Sequence, residues 1–558
     1  MYSKVNNSDT AGSLSLPSVS TSLATEPLGA SADRSITLPD KEIKKTASLH
    51  DLPEEITIKI ARLLEFRDIV SLQRVSVHLY NAIKNDPVLE KAWYCRFSPL
   101  HQYQLKKILP LENKEQLSHW LRPFTKDEAL VESLIEHRSY DYFPALFYFT
   151  KARLMSQYKT FNVDTEVIIN HDFDSIVYSA TFSTDGSHLI TAGSDGKAKI
   201  YGCNNGSWER KAIISHRREV RSGIFSADGR LAMTASLDQT AKIYGQVDGA
   251  WEEKFTIFHD ALLNTATFSA DSSHLVTTHY DNMAKIYGQE VDGSWVEKIT
   301  ISHDQWINSM TFSADGRRLV TASDDGTAKI YGQKTDGSWE KEIIISHRKR
   351  VKSAIFSADS RHVVTASQDY TAKICGQKDD GSWGEEGVIF HNDYVNSAVF
   401  SLNGQHVVTA GEDNTAKIYS KKDDGSWEEN CTITHGKGVI SASFSPDDRH
   451  LVTASKDGTA KIYGLKTDGS SWVEEAIISH LSVVKSSIFS ADGCLVVTTS
   501  MDGTAKIYGR GANGAWREKT VVTHRGAAKS TALSANGHYL VSPFHHNELR
   551  IYKLSMNH

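Results

Sequence analysis

The sequence has few cysteines and no long apolar stretch. Its 558 residues include five cysteines, which lie far apart and form no CxxC pair, so neither a disulfide framework nor a thiolate metal site is indicated. No segment approaches the roughly 18 consecutive apolar residues that a membrane-spanning helix needs, and the first residues lack the apolar core of a signal peptide. We expect a protein of the cytoplasm or nucleus with no membrane partner.

The chain also lacks an excess of charge of either sign. Its 62 Lys and Arg residues oppose 68 Asp and Glu residues, which gives a formal net charge of −6. The hydrophobic content of 40% and the charged content of 23% are ordinary for a soluble globular protein. This balance gives no indication of a nucleic-acid partner. The length predicts several folding units, unless repeats hold the chain together.

Composition divides the N-terminal part into three regions. Residues 1–47 are rich in Ser, Thr and Ala without an apolar period, which predicts a disordered tail. Residues 48–97 change to a helical pattern, in which Ile56, Ile60 and Leu64 recur on one face. The pattern of residues 98–160 predicts further helices that are rich in aromatic residues, and we expect these helices to form a packed linker.

From residue 161 onward a repeat of fixed length predicts the fold. Each unit contains a His, an apolar alternation ending in a sequence such as FSADG, then LVTAS, an Asp turn, TAKIYG and a DGSW turn. Four short strands in a period in the low forties are typical of a β-propeller blade. The recurring histidines are His171, His216, His259, His303, His347, His391, His435, His480 and His524.

The two ends of the repeat region predict how the ring closes. The ninth unit ends just after its third strand, RIYKL, whereas TEVII at residues 165–169 is a spare fourth strand ahead of His171. Pairing these two segments would complete the last blade and leave no exposed edge. We therefore predict nine blades. An eight-bladed ring with one displaced unit is the alternative.

The repeat unit resembles the WD-repeat family. In that family a His, a Ser or Thr, an Asp and a Trp form a hydrogen-bonded tetrad in each blade. The fourth unit supplies these positions as His303, Thr321, Asp325 and Tyr331. The resemblance implies the same tetrad with Tyr in place of Trp. The fifth unit has Cys375 at the Tyr position and the ninth has His546 at the Asp position, so we expect those two networks to be incomplete.

The helical region at residues 48–97 resembles an F-box. A unit this small cannot bury a self-sufficient core, so an apolar face that waits for a partner is expected. In F-box proteins that partner is the Skp-type adaptor of a cullin scaffold. The resemblance implies that adaptor contacts are made by Leu52, Pro53, Ile56, Ile60, Leu64, Leu72, Val75 and Trp93. The predicted fold is α+β and multidomain, with a small all-α F-box, a helical linker and an all-β WD-repeat propeller at residues 161–558.

Target binding is expected at positions that differ between blades. In WD-repeat propellers the third and fifth residues after each His face the top of the ring, the face that carries the His loops. Aromatic and Arg residues there are of the types that dominate interface energies, and the basic ones favour an acidic or phosphorylated peptide. Solvated loop charges are the other interpretation. The predicted target-binding residues are Arg221, Trp306, Arg350, Lys352, Tyr394 and Lys485.

No cofactor, metal site or catalytic group is predicted. One His per blade cannot converge on one ion, and one carboxylate per Asp-Gly turn falls short of the roughly six to eight oxygens that Ca²⁺ takes. A hydrolase would need convergent carboxylates, or a nucleophile with a base, in the channel of the ring. The varying rim positions offer only the scattered Asp324 and Glu412.

The resemblance implies a non-catalytic substrate-recognition subunit of an SCF-type ubiquitin ligase. The alternative is a non-degradative WD-repeat scaffold, including a bacterial effector that acts in the cytosol of a host cell.

Overall fold

The structure is a computed structural model that describes residues 88–556, apart from residues 95–96, 98–101, 103–104, 107–108, 110, 112, 123–127, 158–159, 173–174, 205, 467–468, 512–513, 524–530 and 544–547. The tail predicted at residues 1–47 lies outside the described residues. So do the predicted adaptor-binding residues from Leu52 to Val75.

Four helices precede the first strand in the described part of the chain. They are α1 (Val88–Tyr94), α2 (Lys114–Leu121), α3 (Glu128–Glu136) and α4 (Phe143–Gln157), with a 3-10 turn at His137–Ser139 between the last two. The side chain of Asn113 caps α2, because its oxygen accepts a hydrogen bond from the backbone N–H of Gln116 at 3.0 Å. The helical linker predicted from the sequence is therefore confirmed. None of these helices is long and apolar enough to cross a membrane.

Aromatic side chains from both ends of the linker form one core. Trp93 is 4% exposed and packs edge-to-face on Phe97 and Phe149, with ring centroids 5.3 and 6.0 Å apart. Phe143 and Phe147 are fully buried in the same cluster. The core therefore crosses the domain boundary predicted between residues 97 and 98. Trp93 packs inside the linker rather than on an open face.

The strands of the described residues form nine four-stranded antiparallel sheets, which we call blades 1 to 9, each with strands a to d from the inside of the ring outward. Blades 1 to 3 are Val177–Phe182, His188–Gly193, Lys197–Asn204 and Ser207–Ser215; Val220–Phe225, Leu231–Ser236, Thr240–Val247 and Ala250–Phe258; Leu263–Phe268, His274–His279, Met283–Gln289 and Trp295–Ser302. Blades 4 to 6 are Ile307–Phe312, Arg318–Ser323, Thr327–Gln333 and Trp339–Ser346; Val351–Phe356, His362–Ser367, Thr371–Gln377 and Trp383–Phe390; Val395–Phe400, His406–Gly411, Thr415–Lys421 and Trp427–Thr434. Blades 7 to 9 are Val439–Phe444, His450–Ser455, Thr459–Leu465 and Trp472–Ser479; Val484–Phe489, Leu495–Ser500, Thr504–Arg510 and Trp516–Thr523; Ala532–Leu533, Tyr539–Pro543, Glu548–Met556 and, from the start of the ring, Phe161–Asn170.

Burial along each blade follows from its place in the ring. Strand b of blade 4 is buried from Leu319 to Ser323, because both of its faces are covered by neighbouring blades. Strand d is mostly exposed and buries chiefly its first and seventh residues, Trp339 and Ile345. The repeated apolar pattern therefore encodes a radial stack of sheets with polar outer strands.

The ring closes between the two ends of the repeat region. Strand d of blade 9 pairs with strand c of the same blade in an antiparallel register that sets Thr165 opposite Tyr552 and Ile169 opposite Leu549. The inner strands of blade 9 also contact strand a of blade 1. The nine-bladed prediction is confirmed, and the eight-bladed alternative is wrong because every one of the nine units supplies a complete sheet.

The tryptophan that begins most d strands joins neighbouring blades. Trp383 of blade 5 donates its Nε1–H to Glu342 of blade 4 at 2.7 Å, and Trp516 of blade 8 donates to Glu475 of blade 7 at 2.9 Å. In blades 1, 2, 4 and 7 the buried Nε1 atoms of Trp208, Trp251, Trp339 and Trp472 have no hydrogen-bond partner among the described residues.

Antiparallel connections divide the loops between two faces of the ring. The top face carries the d–a loops with their histidines and the b–c turns, and the bottom face carries the a–b turns and the c–d hairpins. The helical linker packs on the bottom face at blades 8 and 9. Lys151 of α4 lies 3.0 Å from the carboxylate of Asp492 and donates to the carbonyl of Asn536 at 2.6 Å. Both charged side chains are 2% exposed.

Candidate functional site

A hydrogen-bond network fixes the top face of each regular blade. In blade 4, His303 donates from Nδ1 to Asp325 at 2.8 Å, and its Nε2 lies 2.8 Å from the hydroxyl of Thr321. Thr327 donates to the other oxygen of Asp325 at 2.7 Å. Burial by itself would raise the pKa of Asp325, but the hydrogen bonds from Thr327 and His303 lower the pKa to about 2. The d–a loop and the b–c turn are thereby held together.

The fourth member of this network differs from the sequence prediction. The second threonine, Thr327 in blade 4, takes part instead of the tyrosine. Where a tyrosine hydroxyl finds a partner, that partner is usually a glutamate of strand d, as in Tyr244 with Glu253 at 3.0 Å and Tyr463 with Glu474 at 3.2 Å. These tyrosines therefore join strands c and d of one blade, whereas Tyr287 of blade 3 has its hydroxyl 3.5 Å from Nδ1 of His259, the contact that the tetrad prediction expected.

The prediction of an incomplete network in blade 5 is wrong. His347 lies 2.8 Å from Thr365 and 3.0 Å from Asp369, and Thr371 donates to Asp369 at 2.6 Å. Cys375 leaves this network intact, because the position it occupies does not belong to it. His546, the basis of the same prediction for blade 9, lies outside the described residues.

Blade 3 has a different arrangement, because His279 stands where blades 1, 2 and 4 to 8 have Ser or Gly. Its Nε2 lies 3.1 Å from the hydroxyl of Thr277, and its Nδ1 lies 3.7 Å from Asp281. His279 thus takes both partners of His259, whose ring centroid is 4.6 Å away. Burial and the neighbouring His279 lower the pKa of His259 to about 3.

The top face of blades 4 to 6 presents exposed aromatic and basic side chains. Trp306 of blade 4 is 58% exposed and meets Tyr280 of blade 3 edge-to-face, with ring centroids 5.5 Å apart. Arg350 of blade 5 has a side chain 59% exposed and lies 3.3 Å from Asp324. An ion pair this exposed contributes about 0 to 1 kcal/mol, so Arg350 is available to a ligand.

Tyr370 and Tyr394 form the blade 5 to blade 6 side of this surface. Their ring centroids are 5.7 Å apart, and the ammonium of Lys349 lies over both rings at 4.8 and 5.6 Å. We call Trp306, Lys349, Arg350, Tyr370 and Tyr394 the rim patch. Three of these were expected by position. Tyr370 was missed, although its signal is an Asp-Tyr pair where most equivalent turns have Asp-Gly or Asp-Asn.

The other predicted target-binding residues differ in their position on the ring and in the contacts that their side chains make. Lys352 lies beside the rim patch, donates to Asn396 at 2.7 Å and is partly buried, which lowers its pKa. Arg221 of blade 2 stacks on Tyr178 at 4.3 Å, and Lys485 of blade 8 is exposed. Each of these two lies three blades away from blade 5, so the structure groups Trp306, Arg350, Lys352 and Tyr394 and separates Arg221 and Lys485.

The charge of the rim patch is positive. Arg348 and Lys349 are exposed, and neither forms an ion pair with a carboxylate of the described residues. Glu412 of blade 6 is engaged by Lys456 at 2.7 Å. Within the described ranges, no group of three His, Cys, Asp or Glu residues is placed to hold a metal ion. The rim patch therefore presents cationic and aromatic side chains to solvent.

Comparison with known proteins identifies both modules. The family model of the WD domain, G-beta repeat, matches residues 164–202, 208–245, 295–332, 340–375, 387–420, 427–464 and 474–509. The F-box domain model matches residues 49–91. The comparison with curated proteins found no match.

Among solved structures, one similar chain is in the crystal structure of Chaetomium thermophilum Sqt1 bound to the N-terminus of the ribosomal protein L10. It has 15% sequence identity and a TM-score of 0.47, and the alignment covers 58% of this chain and 94% of that chain. The matches to both family models, together with the nine-bladed ring, show that this chain is an F-box protein with a WD-repeat β-propeller.

Proposed function

We propose that the chain is the substrate-recognition subunit of a cullin-type ubiquitin ligase. In this role the F-box binds a Skp-type adaptor, and the rim patch binds a target protein. The subunit itself carries out no chemistry, since F-box and WD domains are interaction modules. It raises the effective concentration of target lysines next to the conjugating enzyme that the cullin recruits.

The observation that carries this proposal is the separation of the two faces of the ring. The helix that continues from the F-box match, α1, belongs to a linker core that packs on the bottom face at blades 8 and 9. The rim patch lies on the top face of blades 4 to 6. The linker is attached to one face of the ring, and the exposed side chains of the rim patch lie on the other. This separation supports simultaneous binding of an adaptor and a target.

The chemistry of the rim patch favours an acidic or phosphorylated segment as the target. Arg350 can form two parallel hydrogen bonds to a carboxylate or phosphate, and Lys349 adds a second cation beside it. Trp306 and Tyr394 provide exposed aromatic surface of the kind found at interface hot spots. We expect the target to combine negative charge with apolar groups.

Adaptor retention tests the ligase assignment. Purified chain is mixed with a Skp-type adaptor and compared with the double variant Leu52→Ala with Pro53→Ala and with Trp306→Ala. We expect the double variant to lose the adaptor and Trp306→Ala to keep it. Equal retention by the double variant would contradict the proposal.

A non-degradative scaffold is the second candidate, because a rigid ring with separate faces also suits an organiser of several partners. Degradation distinguishes the two. Captured partners should gain longer half-lives in cells depleted of the chain if it is a ligase receptor, and unchanged half-lives if it is a scaffold.

We further propose that the protein acts in the cytosol or nucleus, where cullin ligases work. If the chain is a bacterial effector, this means the cytosol of the host.

A further inference from the structure

Tyr370 has an unusual backbone conformation for its residue type. Its φ of +75° lies in the left-handed region, which disfavours bulky side chains because the Cβ atom crowds the backbone. At the equivalent turn position, blades 1, 4, 7 and 8 have glycines with positive φ: Gly196, Gly326, Gly458 and Gly503. The turn of blade 5 therefore carries an aromatic side chain where glycine would fit without strain.

Several hydrogen bonds hold this turn in place. Asp369, the residue before Tyr370, accepts from the backbone N–H of Thr371 at 3.0 Å and from His347 at 3.0 Å. The carbonyl of Tyr370 accepts from the backbone N–H of His391, in blade 6, at 2.9 Å. Strain of this kind persists where the surrounding structure over-determines it, and it concentrates at functional sites.

The strained conformation places the Tyr370 ring at the centre of the basic part of the rim patch. Tyr370 is 39% exposed, and its ring faces that of Tyr394 at an angle of 33° and lies under the ammonium of Lys349. Lys352 also approaches the Tyr394 ring, at 5.9 Å. A glycine at residue 370 would leave Lys349 without its nearer aromatic contact and Tyr394 without a neighbouring ring.

We propose that Tyr370 is a specificity-determining residue, which with Tyr394 selects an apolar side chain next to the acidic group that Lys349 and Arg350 bind. The inference rests on the proposed function and deepens it, because it states what lies beside the acidic group. The aromatic pair orients the Lys349 ammonium by cation–π attraction and offers its exposed ring surface to the neighbouring target residue. A cationic target residue is disfavoured by the surrounding Arg348, Lys349 and Arg350.

A peptide array tests this assignment. The full chain, bound to its adaptor, is applied to peptides with a central Glu, phosphoserine or trimethyl-lysine and randomised neighbours, with and without free phosphate as competitor. We expect binding to peptides with Glu or phosphoserine next to an apolar residue. The Glu and phosphoserine arms, with the competitor, distinguish a protein carboxylate from a phosphate group as the source of the charge.

The variant Tyr370→Gly separates recognition of the acidic group from recognition of the apolar residue next to it. We expect it to melt at the same or a higher temperature, to bind the selected peptides about tenfold more weakly and to lose the preference for an apolar neighbour while still requiring the acid. Gln239→Gly is the matched control, since Gln239 has a φ of +70° at the equivalent turn of blade 2. It should relieve similar strain and leave peptide affinity unchanged.

Three results would overturn the inference: unchanged affinity and preference in Tyr370→Gly, equal loss in Gln239→Gly, or binding only of trimethyl-lysine peptides. Each of these leaves adaptor retention untouched. Failure of the proposed function is seen separately, as adaptor retention that survives Leu52→Ala with Pro53→Ala.

Discussion

Two ion pairs on opposite faces of the ring have similar geometry and different roles. Lys151 and Asp492 on the bottom face lie 3.0 Å apart with both side chains 2% exposed, whereas Arg350 and Asp324 on the top face lie 3.3 Å apart and Arg350 is mostly in solvent. Burial makes the first pair costly to break and leaves the second nearly neutral in stability. The bottom face therefore holds the helical linker in a fixed place, and the top face leaves Arg350 open to solvent, as the proposed target binding requires.

The largest expected effect is at the buried pair. Lys151 holds the pKa of the buried Asp492 below its ordinary value, against the effect of burial. The variant Lys151→Met leaves that carboxylate without its cation, so we expect the free energy of unfolding to fall by about 3 to 5 kcal/mol, measured by urea denaturation. The double variant Lys151→Met with Asp492→Asn should recover part of the loss. A loss below about 1 kcal/mol in the single variant would contradict the comparison.

Restoring the regular network in blade 3 is expected to have the next largest effect. His279→Ser introduces the residue that blades 2, 4 and 5 have at this position and returns Thr277 and Asp281 to His259. We expect a gain in the free energy of unfolding of about 1 to 2 kcal/mol. The converse variant Ser323→His in blade 4 should lose stability. Equal stability of all three proteins would contradict the role given to the network.

The same variant should change the response to acid. Because the pKa of His259 is lowered to about 3 in the folded state, the folded protein binds this proton less readily than the unfolded chain. The contribution of His259 is thus fully present above its ordinary pKa of about 6.5 and is lost as the pH falls from there towards 3. Melting temperatures are measured from about pH 7.5 to about pH 4, a range that lies across this window. They should fall less steeply with decreasing pH in His279→Ser than in the native chain.

A smaller effect is expected on the bottom side of the blade 6 to blade 7 interface. Asn430 occupies the place of Glu342 and Glu475, and its buried Oδ1, like Nε1 of Trp472, has no partner among the described residues. Asn430→Glu supplies a longer acceptor for Trp472, so we expect a gain of about 1 kcal/mol. In the opposite direction, Glu342→Asn should destabilise the chain by a similar amount, since Trp383 loses its acceptor. Unfolding curves that do not move in either variant would contradict this reading of the interface.

The smallest effect on stability is expected at the exposed pair. Arg350→Ala should change the free energy of unfolding by less than about 1 kcal/mol, measured in the same urea experiment as the variants of Lys151. A large loss of stability would mean that Arg350 has a structural role, and the contrast between the two faces would disappear.

The ring and its closure could be predicted from the sequence because they depend on regular signals. The period of the histidines gives the number of blades, and TEVII before His171 has the pattern of a fourth strand without the other three. The alternation of apolar and polar residues determines the register of the strands, since a strand with the wrong register would expose its apolar side chains.

Features that depend on local backbone geometry could not be predicted in this way. A register shift precedes both Tyr331 of blade 4 and Tyr287 of blade 3. The hydroxyl of Tyr287 nevertheless lies 3.5 Å from Nδ1 of His259, whereas in blade 4 the hydroxyl of Thr327 takes that place, so the residue pattern alone does not decide which side chain joins the histidine. Positive φ at Tyr370 is likewise invisible in residue type. The Lys151 and Asp492 contact joins segments far apart in the chain, and no repeat or motif links them.

Target capture most directly tests the claim that the top face of blades 4 to 6 is the binding site. The native chain, Arg350→Glu and Arg361→Glu are each bound to adaptor and used to capture proteins from a cell extract, and captured proteins are quantified. Arg361 is the matched control, because it lies on the bottom face of blade 5 with a side chain 57% exposed and 3.8 Å from Asp379. We predict that Arg350→Glu loses proteins that the native chain and Arg361→Glu retain. Identical capture by all three would contradict the account.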